Sequence, residues 1–294
     1  MNIAALLANA ARTFGERPAI SVGDELRLTY AQLHRRIVRL AGALSARPEL
    51  VPGDRVALVM ANRPQYIELL QAIWHAGLCA VPINARLHPR EIEFILGNCA
   101  VKLCFVTEDV AESVAPLRAG LPALAGVISV DDPDYERLLQ AEPVPQYAAD
   151  GADLAWIYYT SGTTGRPKGA MLSHRNLLMM AMSYLCDVDL LTPEESFFYL
   201  GPLSHGAGLL GLSHLAKATH QVLPASGGFD PGELVDLINR HRHATFFLAQ
   251  TMLRRFLDAP NIASAIQSAD LQLVMQDAER VDRGGFGAEH ERTE

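Results

Sequence analysis

The chain has 294 residues, 49% of them hydrophobic, which is enough for one large domain or two smaller ones with a sizeable core. Its formal net charge of −8 at pH 7 argues against nucleic acid as the main partner, because neutralising phosphates requires a basic face. No run of about 18 apolar residues is present to span a membrane. The first residues lack the basic region of a signal peptide.

The cysteines predict the compartment. The four of them form no Cys-x-x-Cys pair, and no zinc-ligand spacing joins them to His241 and His243. We therefore expect free thiols in a reducing compartment, a cytoplasmic location and no metal ligands among the side chains. Peripheral contact with a membrane and the oligomeric state stay open.

Strand and helix patterns alternate along the first half of the chain. Residues 3–14 read as an amphipathic helix, and a hairpin around Gly23-Asp24 is followed by a helix over 30–44. The next expected strands are 55–60, 79–83, 102–106 and 126–130, with helices at 64–76 and 89–96. Because these strands are continuously apolar and about 20–25 residues apart, they predict a mostly parallel sheet with helices on both faces. Residues 131–153 read as a solvated connection with a short helix at 135–139.

The most informative segment is a loop rich in glycine and hydroxyl residues. An apolar strand over 154–158 runs into it, and it continues through Lys168 to Gly169. Glycine permits a positive φ and lets the backbone approach an anion. Successive N–H groups and short hydroxyls then donate to phosphate oxygens, and a lysine adds a positive charge. The segment therefore predicts a phosphate-binding loop.

This loop has two alternative interpretations. Glycine, serine and threonine between strands also occur in ordinary surface hairpins. The nucleotide-binding Walker loop requires Gly-Lys-Ser/Thr at its end, whereas Lys168 follows Pro167 and precedes Gly169. The loop is therefore not a Walker loop.

A second chemical candidate lies in the second half of the chain. The expected elements there are helices at 177–186, 231–240 and 251–257 and strands at 197–200, 221–223, 245–248 and 271–275. His205 follows the strand at 197–200, beside proline and glycines. A histidine can donate to a developing anion and titrates near neutral pH. A structural role for it remains the alternative.

The glycines after His205 match the dinucleotide fingerprint by letter. Gly206, Gly208 and Gly211 have its spacing, but they lie far along the chain and no acidic strand-end residue follows at the usual distance. We expect these glycines to let a helix pack closely behind His205. Ser161 and Ser204 lie outside any Gly-x-Ser-x-Gly motif, which disfavours hydrolase chemistry.

Taken together, residues 160–165 and Pro167-Lys168-Gly169 resemble, residue for residue, the phosphate-binding loop of the adenylate-forming superfamily, most nearly a bacterial acyl-CoA synthetase. Segments 28–30, 76–84 and 200–208 resemble other family motifs and fall in the family's order. The resemblance implies the N-terminal portion of a large α/β domain with αβαβα layers. It also implies an acid–CoA ligase: a carboxylic acid and ATP give an acyl-adenylate and pyrophosphate, and the CoA thiol then displaces AMP.

The same resemblance implies roles for individual residues. Lys168 neutralises charge on the pyrophosphate, and His205 orients the carboxylate; both are the expected catalytic residues. ATP, Mg²⁺ and CoA are the expected co-substrates and cofactor, and a fatty acid is preferred over an aryl acid because the segments after residue 205 are apolar. The residues expected to bind the phosphates of ATP are Thr160, Ser161, Gly162, Thr163, Thr164, Gly165 and Lys168.

The end of the chain departs from the family pattern. The resemblance implies an incomplete AMP-binding domain of two α/β subdomains over 1–275, and the charged residues 276–294 predict a disordered tail. The family's Tyr-Gly-x-Thr-Glu segment, ribose-binding aspartate and C-terminal lysine domain have no counterpart, which suggests a truncated or frameshifted gene with impaired activity. The hypotheses left open are a ligase, an inactive remnant that binds nucleotide or partners, and an NAD-dependent oxidoreductase.

Overall fold

The computed structural model describes residues 1–160, 166–241, 243–260 and 265–266, and the backbone of 271–275. The strands are β1 (Pro18–Val22), β2 (Glu25–Thr29), β3 (Arg55–Met60), β4 (Cys79–Asn84), β5 (Leu103–Val106), β6 (Gly126–Ser129), β7 (Leu154–Thr160), β8 (Lys168–Ser173), β9 (Ser196–Phe198), β10 (His220–Leu223), β11 (Ala244–Leu248) and β12 (Leu271–Met275). The helices are α1 (Ala5–Thr13), α2 (Tyr30–Ser45), α3 (Pro64–His75), α4 (Pro89–Asn98), α5 (Glu108–Val114), α6 (Pro133–Leu138), α7 (His174–Asp187), α8 (Gly206–Ala216), α9 (Pro231–Arg240) and α10 (Gln250–Leu257), with a 3₁₀ helix at Ala115–Gly120.

The strands form two six-stranded sheets. The first has the order β12-β11-β9-β10-β1-β2, and the second has the order β6-β5-β3-β4-β7-β8. Within the described residues, the β1–β2 and β7–β8 hairpins are antiparallel and the other pairs are parallel. The mostly parallel α/β fold expected from the sequence is confirmed.

Strand β3 shows how the layers are arranged. Its residues alternate between two buried clusters, with Leu58 in one and Val59 in the other, because successive side chains point to opposite faces of a sheet. The cluster of Leu58 also contains Trp74 of α3 and Phe197 of β9, so it lies between the two sheets. The second sheet packs outward on α4 and α5, and the first sheet packs outward on α9 and α10. The result is five αβαβα layers.

Helix boundaries differ from the sequence expectation where caps set them. Helix α7 begins at His174 rather than 177, because Ser173 and Asn176 form a reciprocal capping box. Helix α5 and strand β8 were not predicted, since both are short and carry weak periodicity. Residues 131–153 are more than a solvated connection, because Tyr135 of α6 is buried and donates to Glu68 Oε2 at 2.9 Å.

The expectation of a tail at 276–294 falls outside the described residues. The preceding strand β12 pairs in parallel with β11 as far as Met275. The domain boundary at residue 275 stays a prediction.

Candidate functional site

The predicted phosphate loop joins the two strands of the β7–β8 hairpin. Thr160 and Lys168 are paired in register at the loop end of this hairpin, and both are exposed. Of the seven residues between them, five lie outside the described part of the structure: Ser161, Gly162, Thr163, Thr164 and Gly165. The structure therefore fixes the two ends of the loop, while the roles of all these residues in phosphate binding stay predictions.

Gly169 allows the hairpin strands to approach each other closely. A Cβ at this position would lie 2.8 Å from Ile157 Cγ2 and 3.0 Å from Tyr159 Cζ, which is closer than carbon atoms normally approach. The Tyr159 hydroxyl donates to Asn98 Oδ1 at 2.6 Å and so ties the hairpin to α4. The glycine of the motif thus has a packing role next to Lys168.

The inner face of β7 connects the loop end of the hairpin with His205. Because strand side chains alternate, Trp156, Tyr158 and Thr160 share the face opposite Ile157 and Tyr159. The ring of Tyr158 meets the ring of His205 edge to face, with 5.6 Å between their centroids and 70° between their planes. The structure therefore brings His205 to the same face of β7 as Thr160.

His205 immediately precedes α8, and its imidazole is half-buried. Its Nδ1 lies 2.8 Å from Oγ of the buried Ser204. Burial lowers the pKa of His205, which favours the neutral ring at pH 7. A neutral imidazole that is fixed at one nitrogen can present the other to a ligand.

The glycines behind His205 pack α8 against its own preceding strand and loop. A Cβ on Gly208 would lie 2.0 Å from the carbonyl oxygen of Leu203, and one on Gly211 would lie 2.2 Å from the Tyr199 hydroxyl. This confirms the expectation that a helix packs closely behind His205. Packing accounts for these two glycines without a dinucleotide.

Asn62 is the site residue that the sequence did not indicate. It follows β3, and its side-chain amide bonds the loop before His205 through Tyr199 O, Gly201 O and Leu203 N. Tyr158 and Ser204 were likewise not predicted as neighbours of His205. Ser204 is adjacent in sequence, but nothing in the sequence pairs Asn62 with residues more than 130 positions away.

A cleft of about 970 Å³ opens where several parallel strands end. Its lining includes Asn62 after β3, Asn84 at the end of β4, Gly201 and Pro202 after β9, and Leu223 at the end of β10. The carboxyl ends of parallel strands are the usual place for ligands in α/β folds. Gly201 and Pro202 belong to the loop that carries His205, so this loop forms part of the wall of the cleft.

The described part of the chain shows neither a membrane-spanning helix nor a cluster of metal ligands. No helix there is both long enough and apolar enough to cross a bilayer. No group of three or more His, Cys, Asp or Glu side chains there is arranged to hold a metal ion.

Comparison with known proteins identifies the family. A profile described as AMP-binding enzyme matches residues 7–289, past the end of β12. The chain belongs to this family, which confirms the resemblance to adenylate-forming enzymes and acyl-CoA synthetases.

The chain matches only part of the length of each relative. A feruloyl-CoA synthase from Amycolatopsis sp is 37% identical over 242 residues, which cover 81% of this chain and 47% of the relative. A long-chain-fatty-acid–CoA ligase from Thermus thermophilus is 32% identical over 254 residues, covering 81% and 46%. The chain thus spans about half the length of these curated relatives.

A solved structure shows the same fold. The inhibitor-bound N-terminal domain of FACL13 from Mycobacterium tuberculosis superposes with a TM-score of 0.85 at 27% identity. The superposition covers 93% of this chain and 69% of that domain. The described fold therefore corresponds to the N-terminal domain of an acyl-CoA synthetase.

Proposed function

We propose that this chain carries the ATP- and acid-binding half of an acid–CoA ligase. The observation that best supports this proposal is that one face of β7 runs from the loop end of the predicted phosphate-binding hairpin to the imidazole of His205. An adenylating site has to hold phosphates and a carboxylate side by side, and this arrangement supplies groups suited to both. Family membership and the names of the relatives support the proposal.

In the proposed reaction, a carboxylate oxygen attacks the α-phosphorus of ATP. The bond from this phosphorus to the bridging oxygen breaks, and pyrophosphate leaves. The CoA sulfur then attacks the acyl carbon, the bond to AMP breaks, and the thiol proton passes to solvent. Positioning and charge neutralisation account for most of the catalysis in phosphoryl chemistry.

The proposed roles come from the family resemblance, and the described geometry supports them in part. Lys168 is exposed at the loop end of the β7–β8 hairpin and neutralises the departing pyrophosphate. Thr160 and residues 161–165 bind the phosphates. Oγ of Ser204 lies within hydrogen-bond distance of His205 Nδ1. The proposed tautomer is the one in which Ser204 donates to Nδ1 and the proton of the neutral ring lies on Nε2. That N–H donates to the carboxylate and orients it. Magnesium, when bound, supplies further charge neutralisation.

A medium- or long-chain fatty acid is our first candidate substrate. Helix α8 behind His205 is rich in leucine, and such a surface suits an apolar acyl body. An aryl acid is the second candidate, favoured by the 37% identity to feruloyl-CoA synthases. A cytoplasmic location remains part of the proposal, and peripheral membrane contact stays open.

The decisive experiment measures pyrophosphate release with ATP, Mg²⁺, CoA and a panel containing decanoate, myristate, benzoate and ferulate. Slow turnover, in line with the impaired activity expected from the sequence, is predicted with at least one acid, and Lys168→Ala is expected to lower kcat/KM on the order of 10²-fold through lost charge stabilisation. Lys217→Ala is the matched control, because Lys217 is also exposed but follows the far end of α8 from His205. Its kcat/KM is expected to equal that of the wild type.

Titration with ATP and with NAD⁺ separates the alternatives. ATP binding without turnover for any acid supports a nucleotide-binding protein that does not catalyse ligation. Preferential binding of NAD⁺ supports an oxidoreductase and contradicts the assignment of the loop. Equal losses in Lys168→Ala and Lys217→Ala contradict the role of Lys168.

A further inference from the structure

The side chain of Asn62 makes three hydrogen bonds to a single loop. Its Nδ2 donates to the carbonyl oxygen of Gly201 at 2.8 Å and to that of Tyr199 at 3.2 Å. Its Oδ1 accepts from the backbone N–H of Leu203 at 2.9 Å. A primary amide is the group that can donate twice and accept at the same time, so aspartate and serine cannot make the same set.

The two ends of this contact belong to different sheets. Asn62 follows β3 of the second sheet, and residues 199–203 follow β9 of the first. The backbone beside Asn62 is itself fixed, because the N–H of Ala61 donates to Oγ1 of the fully buried Thr107 at 3.0 Å. Asn62 is therefore a firm anchor for the opposite loop.

The anchored loop sets the position of His205. Asn62 bonds the residues on either side of Pro202, and the carbonyl of Pro202 accepts from the N–H of His205 at 3.0 Å. The carbonyl of His205 in turn accepts from Gly208 N at 3.1 Å, in the first turn of α8. A short chain of hydrogen bonds thus connects Asn62 to the backbone of His205.

We propose that Asn62 is a positioning residue that holds the imidazole of His205 in place for its substrate by clamping the loop of the first sheet to the second sheet. The inference rests on the proposed function of His205. It assigns Asn62 no contact with the reacting atoms.

The test compares two asparagines that make the same pattern of bonds. Asn62→Leu removes the amide while keeping the number and branching of the side-chain heavy atoms. Asn2→Leu is the matched control, because Asn2 also donates to two carbonyls, of Trp74 and Tyr147, and accepts from the N–H of Ala4. Both variants lose three hydrogen bonds, but only the first loses them at the loop of His205.

The first readout is the titration of His205, followed by NMR in the full chain labelled at histidine and assigned with His205→Gln. In Asn62→Leu the loop loosens and the ring gains water, so its pKa is expected to rise toward the ordinary value of about 6.5. Its neighbour Tyr158 stays protonated over this range, because burial raises the pKa of that phenol. In Asn2→Leu, the titration of His205 is expected to match the wild type even if the melting temperature falls.

The second readout is binding of a non-hydrolysable acyl-adenylate mimic, the sulfamoyl adenosine of decanoic or ferulic acid. Asn62→Leu is expected to weaken binding about tenfold or more, since misplacing a site group by about 1 Å is costly. Asn2→Leu is expected to leave it unchanged. If Asn62→Leu does not fold, Asn62→Ser keeps one possible hydrogen bond and is expected to shift both readouts in the same direction.

The outcomes separate the inference from the function. If the wild type binds neither mimic, the proposed function fails, and the titration still decides whether Asn62 positions His205. A titration of His205 that is unchanged in a folded Asn62 variant overturns the inference. So does an equal change in both readouts for Asn62→Leu and Asn2→Leu, because that would show a general loss of stability.

Discussion

Gly208→Ala places a methyl group against the main chain of the loop that carries His205. The new Cβ would lie 2.0 Å from the carbonyl oxygen of Leu203, an atom that cannot rotate away. Overpacking costs about 1–3 kcal/mol, and contact with backbone favours the upper end of that range. Alanine regains about 1 kcal/mol through its higher helix propensity. The expected net loss in the free energy of unfolding is about 2 kcal/mol.

Thermal and urea unfolding measure this loss. At roughly 2–4 °C per kcal/mol for a chain of this size, the melting temperature should fall by about 4–8 °C. Gly201→Ala is the control in the same loop, because its Cβ would come no closer than 3.9 Å to Ala207 Cβ and should change stability by less than about 0.5 kcal/mol. Equal stability of the two variants would refute the close packing of α8.

Three further predictions concern buried contacts. Arg36→Met should lower the free energy of unfolding by about 3–5 kcal/mol at pH 7, because it leaves the buried carboxylate of Glu68 without its cation. Burial already raises the pKa of Glu68, so protonation should shrink this loss at pH 4.5, as urea unfolding at both pH values would show. Burial lowers the pKa of His214 to about 3, so the unfolded state takes up a proton at this group before the folded state does. The free energy of unfolding should therefore fall by about 2 kcal/mol between neutral pH and pH 5. His214→Leu should flatten that part of the pH–stability curve. Gly211→Ala should lower the melting temperature through contact with the Tyr199 hydroxyl, and adding Tyr199→Phe should recover part of the loss in a double-mutant cycle.

Each of these predictions has a contrary outcome. A loss in Arg36→Met that is the same at both pH values would mean that the charge of Glu68 does not cause it. An unchanged acid slope in His214→Leu would assign the acid sensitivity to other buried groups. If Tyr199→Phe and Gly211→Ala are simply additive, the hydroxyl is not the atom that the new methyl group meets.

The strands of the central sheets could be predicted because burial on both faces of a sheet requires a continuous run of apolar residues, which is visible in the local sequence. Each residue of β3 from Val56 to Met60 is apolar, and such a run is typical of a strand covered on both sides. The short helix α5 and the exposed strand β8 lack that signal. Their positions depend on partners that are distant in sequence or on the hairpin that they complete.

The candidate site divides in the same way. The residues of the phosphate motif and His205 could be chosen from the sequence, because glycine, hydroxyl and imidazole groups in that order match a known family pattern. The sequence did not predict that the phosphate motif and His205 lie close together, since this depends on the contact between Tyr158 and His205 across the central layer. Asn62 carried no sequence signal, because its partners lie 137 to 141 positions away.

The sequence by itself determined the family, the α/β alternation and the chemistry that individual side chains can offer. These properties depend on local order, on residue type and on periodicity, which a single chain displays directly. Only the tertiary structure decided that one amide clamps the two sheets together and that glycines of α8 face the carbonyl of Leu203 and the hydroxyl of Tyr199. Such contacts depend on how the layers pack. Packing depends on the distances between segments, and these distances cannot be read from the order of residues.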